Sequence, residues 1–377
     1  MRSLMHPGDY VSHAVFAAEQ RGIFSRLWML AGTRAMLAAD GDYRTCTLAG
    51  KPMALRNCGG RIRAFLNVCR HRGSRLFADE FGSGALVCPY HGWSYDAYLA
   101  LDGVPRNTSL FQFSAAEMAQ RGLIEFAVRE VGDLVFVNLA DQPLPIEEQF
   151  APHLLAMLAA SSVKMDSQYA YTRFDCSFNW KLGIENIKDP LHVEVLHRGT
   201  FPDYFDTRAD RTGVAPINHA ADPALDWRRV ALSEVSDVWD VPMSEGEREW
   251  HALVERLDGK RAYRGIHLFP NVNLMIVAGA VFSIQVYNPI APDRTEIQML
   301  AATTRPLAAF AHKPLVLWEH LKSDMTVLGQ DIECLENLQA GLHAVDFGFV
   351  HGAYEAQLID FHAVCKSLCN IAGGVAS

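Results

Sequence analysis

The sequence predicts an α+β protein in which a small antiparallel β domain precedes a larger domain of sheet and helices. Between Arg44 and Leu139, short β-branched and aromatic runs alternate with glycine-rich turns, the pattern of an antiparallel sheet. The last two thirds of the chain combines strand patterns with helical apolar periodicity, as in an antiparallel sheet with helices on one side. A length of 377 residues agrees with two to three domains.

Three segments follow from these patterns. Residues 1–38 are predicted to be a helical leader that packs with the C-terminal domain, because FAAEQRGIFSRLWMLAG has apolar residues at helical spacing. Residues 39–145 form the predicted β domain, with strands in CTLAGKPMALRN, RIRAFLNV, GALVCPY, IEFAVREVG and LVFVNLA. Its last residues, from Asp141 to Pro145, are the expected linker.

Residues 146–377 form the predicted C-terminal domain. A helix begins near Pro152, and YAYTRFDCSFNWKLG reads as one long strand. A meander from RGIHLFPN to TEIQMLAATT has Pro289 and Pro292 in a turn, and its apolar run from Leu274 to Ile284 is predicted to be one buried strand. The chain is then predicted to be helical over 305–343 and again through YEAQLIDFHAVCKSL.

Four residues of the β domain form a metal-binding pattern. Cys69 and His71 are arranged C-x-H, and Cys88 and His91 follow as C-x2-H. Two thiolates and two imidazoles suit a Rieske [2Fe–2S] cluster, in which cysteines hold one iron and histidines the other. A Cys2His2 zinc site is the alternative, although zinc motifs usually pair like with like, whereas each half here carries one residue of each kind.

A second cluster of metal-binding residues follows in FNWKLGIENIKDPLHVEVLH. Glu185, Asp189, His192 and His197 are spaced E-x3-D-x2-H-x4-H. Two histidines and a carboxylate on one face of Fe(II) leave positions open for O2 and substrate. Five residues separate the two histidines, which an ideal helix turns about 140° apart, so the helix must end or bend near Val195. Ordinary surface histidines beside an acid are the alternative.

Asp331 is the best candidate for the carboxylate ligand. It lies on an apolar helical stripe in VLGQDIECLENLQAGL, where a lone carboxylate is costly unless it is paired or bound to metal. A salt bridge, or a helix that rolls Asp331 into water, would also explain it. Glu333 and Glu336 are the rival carboxylates, but neither shares the phase of the stripe.

Composition restricts the function classes. A net charge of −9 and the lack of a basic run disfavour a nucleic-acid partner. We expect no membrane contact, since MRSLMHPGDY has no apolar signal-peptide core and no apolar run reaches the about 20 residues that cross a bilayer. Of eight cysteines, those outside the cluster motif show no disulfide framework, so a cytoplasmic location is expected.

The motifs also carry a family resemblance. CRHRGSRL and CPYHGWSYD, followed by LDGVPR, look like the Rieske domain of ring-hydroxylating oxygenase alpha subunits. NWK…EN…D-x2-H-x4-H resembles the mononuclear iron motif of that family, and the segment around Asp331 resembles its late helix. The short spacing from Glu185 to Asp189 and the sequence DPLH depart from some members.

The resemblance implies a helix-grip catalytic domain and a terminal oxygenase. Such an enzyme takes electrons at the cluster and activates O2 at Fe(II) held by His192, His197 and Asp331, to hydroxylate an aromatic or similar apolar small organic substrate. Asn186 and Ile187 are the predicted pocket residues. Oxidative N- or O-demethylation is the alternative reaction, and a Rieske electron carrier with a non-catalytic binding domain is a less favoured one.

The expected partners follow from the same resemblance. No G-x-G-x-x-G follows a strand, so NAD(P)H must act through a separate reductase, with or without a ferredoxin. A small beta subunit accompanies some members. Asp189 is implied to bridge the iron site and a cluster histidine of a neighbouring subunit, which implies a homotrimer, or a multiple of three.

Overall fold

The computed structural model describes residues 3–189, 191–200, 231–242, 248–257, 262–352 and 355–369. The chain divides into two compact units, one formed by Met1–Ile23 with Pro145–Ser377 and the other by Phe24–Leu144. The two units have their own sheets, and the α+β class is confirmed. Among the described residues, no helix is both long enough and apolar enough to cross a membrane.

The leader is helical over a shorter stretch than the sequence predicts. Helices α1 (Gly8–Val11) and α2 (His13–Glu19) are followed by a π-helical turn at Gln20–Phe24. Strand β1 (Met29–Thr33) then pairs with a later strand of the β domain. The helical segment therefore ends near Phe24, because the apolar residues that follow are buried in a sheet and not on one face of a helix.

The unit of residues 24–144 is built on an antiparallel sheet. Its strands are β1, β2 (Asp42–Leu48), β3 (Lys51–Cys58), β4 (Arg61–Leu66), β5 (Phe81–Ser83), β8 (Glu125–Val131) and β9 (Leu134–Asn138), in the order β1-β9-β8-β4-β3-β2-β5. Strands β6 (Ser94–Tyr95) and β7 (Leu101–Gly103) form a separate hairpin, followed by helix α3 (Ala115–Ala119). The predicted strand GALVCPY has only an isolated bridge from Val87 to Ser94, because the chain turns sharply there.

The described part of the larger unit contains a six-stranded antiparallel sheet. After helices α4 (Ile146–Gln149) and α5 (Pro152–Ser162), its strands are β10 (Met165–Cys176), β11 (Asp237–Pro242), β12 (Ala262–Leu268), β13 (Val272–Val277), β14 (Val281–Ala291) and β15 (Arg294–Thr304), in the order β10-β15-β14-β13-β12-β11. The described α-helices in and after the sheet are α6 (Trp180–Lys188), α7 (Leu191–Leu196), α8 (Lys313–Leu342) and α9 (Ala356–Cys369).

Two details of the predicted meander are wrong. The apolar run Leu274 to Ile284 is a hairpin, since Ala278 and Gly279 take positive φ angles of 53° and 62° and turn the chain between β13 and β14. Pro289 lies inside β14 at a register shift, where a missing N–H is tolerated, and only Pro292 lies in the turn before β15. The first C-terminal helix starts at Lys313 rather than Arg305.

A buried ion pair anchors the leader to α6 within the larger unit. Lys181 donates to Glu19, and both side chains are almost fully buried. The other carboxylate oxygen of Glu19 accepts a hydrogen bond from the Trp180 indole at 2.9 Å. These bonds hold α6 in place just before the residues of the predicted iron motif.

Candidate metal centres and active site

The two Cys/His loops of the smaller unit have the same backbone design. In each loop, the glycine four residues after the cysteine donates its N–H to the cysteine carbonyl, from Gly73 to Cys69 at 3.1 Å and from Gly92 to Cys88 at 2.9 Å. Both glycines have positive φ angles, 81° and 69°, which residues other than glycine rarely adopt. The two loops therefore share the same tight backbone turn between the cysteine and the glycine.

The side chains of the two loops approach each other in pairs, His71 with His91 and Cys69 with Cys88. The rings of His71 and His91 are 4.7 Å apart between centroids, and both cysteines are buried. Burial raises the pKa of the Cys69 thiol, whose sulfur lies 3.4 Å from the Tyr95 hydroxyl. Burial, with smaller contributions from His91 and Arg72, lowers the pKa of His71 and favours a neutral imidazole.

This donor set can hold a [2Fe–2S] cluster. The Nδ1 atom of His71 is buried and has no hydrogen-bond partner among the described residues, as a ring nitrogen reserved for a metal would be. Neutral imidazole and thiolate are the forms that coordinate iron. Tyr95 also accepts a hydrogen bond from the Arg70 N–H at 3.0 Å, which fixes the phenol beside the cysteine.

In the larger unit, a break in the helix brings the predicted iron ligands together. Helix α6 ends at Lys188, and Asp189 has extended backbone angles of −93° and 110°. The next residue in the sequence is a proline, which disfavours helical backbone at the residue before it. Helix α7 carries His192 and ends at Leu196, so that His197 lies just beyond it, close to the position where the spacing requires the helix to end.

Three donor atoms converge from α7, the residue after it, and α8. Nε2 of His197 lies 2.9 Å and Nε2 of His192 lies 3.7 Å from Oδ1 of Asp331. All three donor atoms lie within 4.8 Å of one another. Bonds of about 2.1 Å at right angles place two ligand atoms about 3 Å apart, so only a small adjustment is needed to hold one ion.

Asp331 occupies the position expected from the helical stripe. It is 8% exposed and lies on the buried face of α8. Glu333 is exposed, and Glu336 accepts a hydrogen bond from the Ser177 N–H at 2.8 Å. Among the described residues, neither rival carboxylate belongs to the group of three donors.

The Nδ1 atoms of His192 and His197 each have a hydrogen-bond partner. Nδ1 of His192 lies 2.6 Å from the backbone oxygen of Asp189, and Nδ1 of His197 lies 2.9 Å from Oε1 of Gln330. Thr200 donates to the same Gln330 oxygen at 3.0 Å. An Nδ1–H bonded in this way leaves Nε2 for the metal. Sequence reasoning missed Gln330, whose only signal is its place beside Asp331.

Opposing effects set the pKa values of His197 and Asp189. Burial lowers the pKa of His197, but Asp331 and Gln330 outweigh it and the pKa is raised. Burial raises the pKa of Asp189, but the neighbouring His192 ring and the hydrogen bond from the Leu191 N–H outweigh it and the pKa is lowered. The Asp189 carboxylate thus favours its charged form, with Oδ1 2.7 Å from Leu191 N and Oδ2 3.6 Å from His192 Nδ1.

The remaining residues of the motif lie on α6. Glu185 does not join the three donors, because its carboxylate accepts hydrogen bonds from the Tyr10 hydroxyl at 2.7 Å and from His362 at 2.9 Å. Asn186 and Ile187 are half-buried on the last turn of α6. Their predicted role at the substrate pocket stays a prediction.

Known proteins resemble this chain in both units. Residues 27–114 match the sequence model of the Rieske [2Fe-2S] domain, and residues 162–370 match that of the ring hydroxylating alpha subunit (catalytic domain). The glycine betaine monooxygenase oxygenase subunit of Chromohalobacter salexigens is 36% identical over 192 residues, covering 50% of this chain and 42% of that protein. The chain therefore matches less than half the length of that relative.

Other similarities extend over more of the chain. The naphthalene 1,2-dioxygenase large oxygenase component of Pseudomonas putida is 27% identical over 323 residues, covering 78% of this chain and 69% of that protein. A solved quaternary ammonium Rieske monooxygenase shares the fold with a TM-score of 0.75 at 18% identity, covering 96% of this chain and 94% of that one. Naphthalene 1,2-dioxygenase from Rhodococcus sp. has a TM-score of 0.72 at 17% identity, with coverage of 97% and 94%.

The cofactors of proteins built from these two domains are a Rieske [2Fe–2S] cluster and a mononuclear iron, which agree with the two donor sets. The catalytic-domain match alone covers more than half of the chain, and the Rieske match precedes it in the order expected from the sequence. The chain belongs to the family of ring-hydroxylating oxygenase alpha subunits.

Proposed function

We propose that this protein is a terminal oxygenase that oxidises a small organic substrate with O2. The observation that carries the proposal is the convergence of His192, His197 and Asp331, three protein donors that leave the rest of an iron coordination sphere open. An electron carrier without a catalytic centre would not need this group. When bound, the cluster supplies electrons and the iron supplies O2 activation.

The residues around the iron site hold its ligands in place for this chemistry. Gln330 and the Asp189 carbonyl accept from the two Nδ1 atoms, so both imidazoles present Nε2 to the ion. Asp331 adds one negative charge to two neutral ligands, as in the two-histidine, one-carboxylate sites of oxygenases. Cys69, His71, Cys88 and His91 are the proposed cluster ligands.

Electrons must come from outside this chain. We propose a reductase that uses NAD(P)H, acting directly or through a ferredoxin, and a cytoplasmic location. A small beta subunit belongs to the same proposal, as it does in some members of the family. The substrate would be oxidised by cis-dihydroxylation, monohydroxylation or demethylation.

The proposed assembly is a trimer in which Asp189 connects the iron site of one subunit to the cluster of the next. Its carboxylate is partly exposed, and the adjoining α7 exposes Leu191 and Val195, the latter by 76%. In the smaller unit, His91 is exposed at the tip of its loop beside the exposed Tyr90. Apolar groups left in water near both metal sites suit an interface between subunits.

Replacing Asp189 tests this assembly. The variant Asp189→Ala should keep both metal sites and nearly stop product formation, while the native enzyme sediments as a trimer or a multiple of three. The neighbouring exposed Glu194→Gln is the matched control. A monomer that turns over at full rate, or an Asp189→Ala variant as active as wild type, would rule out the bridging role.

Oxidative N-demethylation is the second candidate reaction. It is favoured by relatives that are named glycine betaine and carnitine monooxygenase oxygenase subunits. The deciding experiment incubates the purified protein with a generic reductase, NADH, ¹⁸O2 and a panel of aromatic and methylammonium compounds. Mass spectrometry should find a labelled diol, a labelled alcohol or phenol, or a product that lacks one methyl group. A complete absence of O2-dependent products across the panel would count against the oxygenase.

A further inference from the structure

One face of the larger sheet is unusually polar for a buried surface. Strand pairing places Asn273 opposite Gln285 and Met275 opposite Ser283, all on the face that also carries Tyr287. We call this the inner face, because Ser283 donates to Asp324 of α8 at 2.6 Å and the Tyr287 ring lies against Gly183 of α6. The inner face is therefore next to the elements that hold the iron ligands.

The inner face contains a buried acceptor without a donor. The amide nitrogen of Asn273 lies 3.3 Å from Oε1 of Gln285, which also accepts from the Tyr287 hydroxyl at 3.0 Å. Oδ1 of Asn273 has no hydrogen-bond partner among the described residues, although the side chain is only 6% exposed. An unpaired buried acceptor is costly, so a ligand or water that donates a proton would be favoured there.

An acid and two aromatic rings lie on the same side of the sheet. Asp324 accepts from Ser283, and its Oδ2 lies 3.4 Å from Nε2 of His320. Tyr263 is close enough that the negative charge of Asp324 adds to the effect of burial in raising the pKa of its phenol. The ring of Trp239 lies 5.3 Å from that of Tyr263. Carboxylates and aromatic faces both attract organic cations.

The backbone leaves room for this aromatic pair because one position on β12 has no side chain. A Cβ atom on Gly265 would lie 2.2 Å from the Trp239 ring, so the indole rests directly on the glycine backbone. Nearby, the cation Lys188 is already paired with Asp237 at the edge of the sheet. Among the described residues, the contacts of the Asp324 carboxylate are the Ser283 hydroxyl and the His320 ring, neither of which is a lysine or arginine, so its negative charge can attract an incoming cation.

The spacing along α8 relates this acid to the iron ligand. Asp324 and Asp331 are seven residues apart, which is two helical turns and about 10 Å of rise. Both project from the side of α8 that meets the sheet, since one contacts Ser283 and the other contacts the histidine ligands. A small molecule could place a charged group at Asp324 and a carbon atom at the iron.

We propose that the substrate of this site is an organic ammonium ion, with its cationic nitrogen held by Asp324 and the rings of Tyr263 and Trp239. A further donor group of the same molecule, such as a hydroxyl, would bond to Asn273. This inference rests on the proposed oxygenase for what happens to the molecule afterwards. It replaces the apolar aromatic substrate that the sequence favours with a polar, charged one.

Matched pairs of cation and neutral isostere test the proposal by binding alone. Isothermal titration of the anaerobic holoenzyme would use choline against 3,3-dimethylbutan-1-ol, and protonated N,N-dimethylbenzylamine against isobutylbenzene. In each pair the nitrogen is exchanged for carbon with little change in shape. We expect at least one cation to bind, and to bind about tenfold or more tightly than its isostere. The variant Asp324→Asn should lose that preference.

Two further variants separate charge recognition from a general disturbance of the helix. Glu319→Gln removes the same charge from an exposed position of α8 and should keep the preference. Tyr263→Leu should weaken the cations more than their isosteres, and it tests the site independently if Asp324→Asn does not fold. Equal binding within both pairs, failure of both cations to bind, or a preference that survives in Asp324→Asn would each overturn the proposal.

Because no O2 or reductase is present, these measurements are independent of turnover. A protein that binds cations selectively but yields no oxidised product would refute the oxygenase and leave the cation site standing. Product formation from neutral hydrocarbons without any preference for cations would refute the cation site and leave the oxygenase standing.

Discussion

Removal of the hydrogen bond between His197 and Gln330 should weaken metal binding without touching a metal ligand. The change Gln330→Leu keeps the size of the side chain and removes the Oε1 atom, which lies 2.9 Å from Nδ1 of His197. A partly buried hydrogen bond of this kind contributes about 1–1.5 kcal/mol, which corresponds to about a tenfold loss of affinity. The orienting partners of metal-bound histidines usually contribute about 10- to 100-fold, so both estimates agree.

Anaerobic competition titration of the iron-depleted mononuclear site with Fe(II) or Co(II) measures this loss. Gln330→Glu keeps an acceptor and should retain near-native affinity, while the exposed neighbour change Glu333→Gln should have no effect. The visible spectrum of the Rieske cluster should be the same in every variant. If Gln330→Leu binds Fe(II) as tightly as wild type, the hydrogen bond does not orient His197 and the reasoning fails.

Three other perturbations have defined outcomes. His91→Cys should greatly alter the visible and EPR spectra of the cluster, since a thiolate in place of an imidazole adds charge and lowers the potential. Cys69→Ser should abolish or greatly alter the same spectra, since it removes a thiolate ligand; an unchanged spectrum in either variant would exclude these ligands. The pKa of His197 is raised in the metal-free protein, so its protonated form stabilises that state fully below about pH 6.5 and loses this effect as pH rises through the folded pKa. Because iron must displace this proton, Fe(II) affinity should increase with pH until the folded pKa is passed; a flat profile would contradict this. Glu19→Ala leaves Lys181 buried without its counter-charge and should lower the free energy of unfolding, measured by denaturant titration, by about 3–5 kcal/mol. The double variant Glu19→Gln with Lys181→Met should recover most of this loss; equal losses in the two variants would refute the ion-pair argument.

The sequence predicts much of the fold because local patterns and tertiary structure agree over most of the chain. Strands β2, β3, β4, β8 and β9 and the helices α8 and α9 lie where alternation and helical periodicity place them. The hairpin at Ala278 and Gly279 is not predictable from hydrophobicity, since both strands and the turn between them are apolar. Only the positive φ angles reveal the turn.

The candidate ligands are predictable for a similar reason, and their supports are not. Asp331 is identified because a buried acid on an apolar stripe requires a partner. Gln330 lies next to it in the sequence but carries no charge, and its contact with His197 connects residues far apart in the chain. The spacing from Asp189 to His192 suggests a shared helix face, whereas the chain breaks between α6 and α7.

The character of the pocket is the least predictable feature. Alternation along β13 and β14 shows that the two faces differ, but it does not tell which face meets the helices. The many apolar residues of β13 and β14 therefore favour an apolar pocket. In the structure, Asn273, Ser283 and Gln285 occupy the face turned towards α6 and α8.

Iron and sulfide analysis of the wild type beside Asp331→Ala tests the central claim most directly. A Rieske oxygenase should contain two cluster irons, two acid-labile sulfides and one mononuclear iron per chain. Asp331→Ala should lose only the mononuclear iron, keep the sulfide and the cluster spectrum, and form no product. A wild-type protein with cluster iron alone, or an Asp331→Ala variant that keeps all its iron and its turnover, would contradict the assignment of His192, His197 and Asp331 as the oxygen-activating site.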